Sequence, residues 1–79
     1  MMKEQILGML EELRPEFDFN DSEDYIMDGL LDSFDIISLV SMLEEKYNIS
    51  VDGTEIIPEN FTSVDSMISL VKKSKGESK

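Results

Sequence analysis

Apolar residues recur at three- and four-residue spacing in three separate blocks of this chain. The first block holds Met2, Ile6, Met9, Leu10 and Leu13; the second holds Ile36, Leu39, Val40, Leu43 and Tyr47. The last holds Val64, Met67, Ile68 and Val71. Such spacing draws a single stripe along an α-helix. Each stripe is narrow, so the helices must share one core. Local signals place their ends. Pro15 disfavours helix at Arg14 and stops the first, which Gly8 weakens slightly. The second runs over 33–47: Asp32 can cap it, Asp35 lies in its first turn where negative charge suits the helix dipole, and Asn48 is a stop. Thr62 or Ser63 caps the third, and Lys72 and Lys73 complement its negative end.

The segments between are loops with some apolar content. The first, PEFDFNDSEDYIMDG (15–29), is acidic yet carries Phe17, Phe19, Tyr25 and Ile26, so it should fold back over the core. Its acids do not spell a calcium loop. Counting from Asp18, the sixth and twelfth positions are Glu23 and Gly29, where glycine and glutamate would be needed. A solvated acidic loop is the better reading. In NISVDGTEIIPEN (48–60) Asp52-Gly53 signals a turn, and a short helical turn is expected to begin near Pro58. Val51, Ile56 and Ile57 are its expected contributions to the core. The expectation is an all-α domain over 1–74: three longer helices, one short one and a long loop after the first. Residues 75–79 are expected to form a frayed tail.

Composition narrows function more than fold. The 79 residues contain neither cysteine nor histidine. The chain therefore lacks a thiolate nucleophile, an imidazole base and the ligands zinc prefers, and the core must hold by packing alone. Intrinsic catalysis is not expected. Residues 1–71 carry 17 acids against 3 bases, a net charge of −14, while the remaining eight residues add back +3. Such a body is repelled by nucleic-acid phosphates and anionic lipid, and its expected partners present Lys and Arg. The first residues, MMKEQILGMLEEL, place Glu4, Glu11 and Glu12 where a signal peptide needs an apolar run. A soluble, cytoplasmic monomer is the expectation, with no membrane insertion.

One stretch stands apart, GLLDSFDIISLV (29–40). At roughly 100° per residue, Phe34 lies opposite the inner face formed by Ile36, Val40, Leu43 and Tyr47. Ile37 and Ser41 follow it on the outer side. A phenylalanine and an isoleucine are thus expected in solvent beside Ser33, rimmed by acids, as an interaction surface would be. Ser33 lies where a helix start favours an anion, although Asp32 and Asp35 partly oppose one. By capping alone, Asp32-Ser33 reads as an ordinary helix start.

Together, GLLDSFDIISLVSMLEEKYNISV and the flanking amphipathic helices resemble the acyl carrier proteins, whose Asp-Ser-Leu motif opens the second helix of a four-helix bundle. The resemblance implies that Ser33 carries 4'-phosphopantetheine, donated by coenzyme A, with Asp32 as the flanking motif acid. It implies a partner-docking face of Phe34, Asp35, Ile37, Ser41, Glu44 and Glu45. It further implies a non-catalytic carrier holding acyl or aminoacyl groups as a thioester. Its partners would be a phosphopantetheinyl transferase, an acyl- or aminoacyl-activating ligase and downstream transferases with basic docking surfaces. Phe34 stands where leucine is usual, and GLLDSF looks more like the D-alanyl carrier type than the fatty-acid carriers. Ser41 also departs from the fatty-acid carriers, which tend to place an apolar contact there. The alternative is an unmodified acidic helical adaptor that binds a basic protein through the same helix.

Overall fold

In a computed structural model, which describes residues 2–75, the three apolar blocks form three α-helices. Helix α1 spans Met2–Leu13, α2 Ser33–Tyr47 and α3 Val64–Ser74. Three 3-10 turns lie between them, at Phe19–Asp21, Gly53–Glu55 and Pro58–Phe61, and no strand occurs among the described residues. Met1 and residues 76–79, most of the expected tail, lie outside the described residues. The amide of Lys75, the first residue of that tail, bonds the Val71 carbonyl at 3.0 Å, and its ammonium stands 5.8 Å from the centre of the Tyr47 ring.

The helix ends follow local chemistry. The Arg14 amide makes a last helical bond to the Leu10 carbonyl at 2.9 Å before Pro15 intervenes. Helix α2 starts in a reciprocal capping box between Asp32 and Asp35. It ends at Asn48 with φ of 53°, a left-handed conformation that asparagine tolerates well. The amides of Asn48 and Ile49 both close onto the Glu44 carbonyl. Ser63, one of the two candidate caps, starts α3 and forms a second reciprocal box with Ser66.

Ile6, Leu10, Leu39, Leu43, Phe61, Met67 and Val71 are fully buried at the centre. Helix α1 packs on both α2 and α3, and the Pro58–Phe61 turn packs on α3 and α2. The long connection closes one side, burying Phe19, Tyr25 and Leu31. Phe19 meets Tyr25 edge-on with ring centres 5.1 Å apart, and Phe17 meets Phe19 the same way at 6.5 Å. A backbone bond of 2.9 Å from the Tyr25 amide to the Thr62 carbonyl ties this loop to the start of α3.

Two core assignments need correction. Ile56 and Ile57 are 36% and 41% exposed, and Phe61 takes the place expected of them. Asp52 accepts from the Thr54 amide and hydroxyl and winds the Gly53–Glu55 turn. The Pro58–Phe61 turn then swings Phe61 inward and leaves the isoleucines at the surface. On α3, Leu70 is buried whereas Ile68 is only half-buried.

Candidate functional site

Ser33 is the first residue of α2 and is exposed. Its neighbour does the capping. The Asp35 amide donates to Asp32 Oδ1 at 2.9 Å, and the Asp32 amide donates back to Asp35 Oδ2 at 3.3 Å. The Asp32 carboxyl is held below its ordinary range, first by the Asp35 amide and then by Arg14, against the cost of desolvation. The Ser33 hydroxyl makes no hydrogen bond among the described residues. It is a spare nucleophile-type oxygen at a helix start, held in solvent by a turn that does not depend on it.

Phe34 and Ile37 stand beside it, 77% and 61% exposed, with Ser41 and Glu45 also in solvent. The opposite side of the helix buries Ile36, Leu39, Val40 and Leu43, so the amphipathic division expected of α2 is present. Met27, in the turn before α2, is 83% exposed. That turn closes with Gly29 at φ of +75°, where a side chain would be strained.

Two of the expected docking acids do other work. Asp35 is 7% exposed and faces inward. Its Oδ2 takes both Nε and Nη2 of Arg14 at 2.9 Å as well as the Asp32 amide. A carboxylate desolvated to that degree needs a cation and donors around it, and it has them. Asp35 is therefore a structural group and not part of the outer face. Glu44 is half-buried, and its Oε2 accepts the Val51 amide at 3.0 Å, which anchors the chain leaving α2. The exposed docking candidates that remain are Phe34, Ile37, Ser41 and Glu45.

Arg14 is the residue that sequence reasoning missed. Its guanidinium also lies 3.6 Å from Asp32 Oδ2 and 3.5 Å from Glu16. Its pKa is raised further, chiefly by the side-chain bond to Asp35. The signals were there: one of three bases in 71 residues, at the end of α1, and an Asp-x-x-Asp spacing that spells a capping box.

Two surface hollows occur elsewhere. One, of about 170 Å³, involves Lys3, Asn20, Ser22 and Tyr25; the other, about 700 Å³ between α1 and α2, involves Gln5, Gly8, Met9 and Met42. Ser33, Phe34 and Ile37 line neither. No family model matches the chain, and no curated protein matches it.

Proposed function

We propose that this chain is a carrier protein whose Ser33 holds 4'-phosphopantetheine and presents acyl or aminoacyl groups to partner enzymes. The observation that carries this reading is the division of labour at the start of α2: Asp32 caps the helix while the adjacent Ser33 hydroxyl stays exposed and unbonded. The residues fit the group. Ser33 Oγ is open to the pantetheine-linked phosphate of coenzyme A; bond formation there releases the hydroxyl proton and adenosine 3',5'-bisphosphate. The resulting phosphodiester would sit at the positive end of the helix dipole, and Arg14 offsets part of the repulsion from Asp32. When attached, the arm supplies the thiol that a chain without cysteine lacks, and it holds the cargo as a thioester.

In this reading the Pro58–Phe61 turn is the short helix of a four-helix carrier bundle. Phe34 and Ile37 meet the partner beside the arm, and the acidic surface draws ligases and transferases that present basic residues. The chain itself is no enzyme.

The test is intact-protein mass after incubation with coenzyme A and a phosphopantetheinyl transferase of broad range. Addition of one phosphopantetheinyl group, lost in Ser33→Ala, is expected. An unchanged mass with several such transferases overturns the reading and leaves the acidic adaptor, which needs no hydroxyl at position 33.

A further inference from the structure

We infer that Arg14 is a positioning residue for the modification of Ser33: by bridging Asp35 and Asp32 it holds the first turn of α2 in the arrangement that presents the serine. The inference rests on the carrier reading and names the residue that makes its site ready.

The geometry is that of a clamp from a different element. Arg14 follows the last turn of α1, and its backbone is fixed there by the bond to Leu10. Its side chain reaches across 21 positions of sequence to Asp35. Nε and Nη2 converge on one oxygen, Asp35 Oδ2, and that same oxygen accepts the Asp32 amide. Nη2 then leans toward Asp32 Oδ2. The capping box therefore brings two carboxylates together, and among the described residues no other basic side chain is in salt-bridge reach of either. In a body with a net charge of −14, two neighbouring anions repel unless a cation lies between them. A guanidinium suits the place because its planar fork serves both acids at once, whereas an ammonium is a point charge.

Ser33 is flanked in sequence by the residues this clamp holds, with Asp32 before it and Asp35 two residues after. If the clamp is lost, the first turn frays for part of the time and Ser33 leaves its place at the helix start. An enzyme that recognises the formed turn then meets a smaller competent fraction. Its apparent affinity for the carrier falls by that fraction, and turnover of the bound complex is unchanged. A purely structural role would lower the melting temperature alone.

The experiment compares the wild type with Arg14→Gln, Arg14→Lys and Ser63→Ala, the last removing a cap from α3 as a stability control. Steady-state transfer from coenzyme A is followed well below the lowest melting transition, together with hydrogen exchange at the Asp32, Asp35 and Ile36 amides. Arg14→Gln is expected to raise KM for the carrier about tenfold with kcat within about twofold, and to speed exchange at those amides selectively. Arg14→Lys should recover part of both. Ser63→Ala should melt earlier with KM unchanged. An unaltered KM in Arg14→Gln beside a lowered melting temperature overturns the inference. If Arg14→Gln does not fold, Arg14→Lys decides, and wild-type KM in that variant overturns it. If the wild type accepts no phosphopantetheine, the carrier reading fails, and the exchange data alone decide whether Arg14 holds the turn.

Discussion

Replacing Ser33 by alanine removes a hydroxyl that holds nothing in the fold, so the melting temperature should stay within the range of a neutral surface change, about 0.5 kcal/mol. On the carrier reading, mass spectrometry should nevertheless show all loading abolished. Phe34→Ala removes a ring already in solvent and should likewise melt as the wild type does, while the carrier reading expects slower transfer of cargo by a partner ligase. Asp35→Ala behaves in the opposite way. It removes the charged acceptor of the Asp32 amide and the partner of Arg14, at a cost of about 1–3 kcal/mol. Charge reversal belongs at Glu45, which is exposed. Glu45→Lys should slow association with a basic partner, most visibly at low salt, in a stopped-flow titration across ionic strengths. A Glu45→Lys variant that associates at the wild-type rate would remove the charge-steering argument.

Within the elements, the buried faces set the stability. Leu43→Ala on α2 and Phe61→Ala in the Pro58–Phe61 turn should cost about 2–5 kcal/mol each in urea unfolding, because both side chains are fully buried and leave cavities. Ile57→Ala should cost far less, although Ile57 and Phe61 are four residues apart and both apolar. That contrast marks where periodicity stops informing. Helical spacing exposed the inner residues of α1, α2 and α3, and the caps at Asp32, Ser63 and Asn48 were legible as residue types at helix ends. Over residues 48–61 no period ties Ile56, Ile57 and Phe61 to a direction, so the 3-10 turns decide which is inside. At the site, Ser33, Phe34 and Ile37 could be placed because one helix carries all three. The pairing of Arg14 with Asp35 could not be, since it joins two helices and depends on how they pack.

For the molecule as a whole, electrostatics pull stability in two directions. The excess of acids means that added salt should raise the melting temperature by screening their repulsion. Against this, Asp32, Asp52 and Glu55 have folded-state pKa values below their ordinary 3.8, 3.8 and 4.5. The main causes are the Asp35 amide, the Thr54 amide and the Lys73 ammonium, the last 2.8 Å from Glu55. A depressed carboxylate contributes stability that is present above its ordinary value and lost as pH falls through the folded value. Burial raises the Tyr25 phenol above 10.0, so its contribution is present below that pH and lost as pH rises beyond it. Thermal melts should therefore pass a shallow maximum on the acid side of neutrality, then fall below about pH 4 and again above about pH 10. A melting temperature that climbs steadily down to about pH 2 would mean that relief of repulsion outweighs every one of these bonds.

The separation between Asp32, which caps, and Ser33, which does not, also bears on descent. A lineage that ceased to use position 33 would meet no folding penalty for replacing the serine, so drift would erase it quickly. Asp32, Asp35 and Arg14 would persist longer, because losing any of them unsettles the start of α2. If the carrier reading holds, only use, and not folding, keeps a serine at position 33, because Asp32 alone supplies the cap.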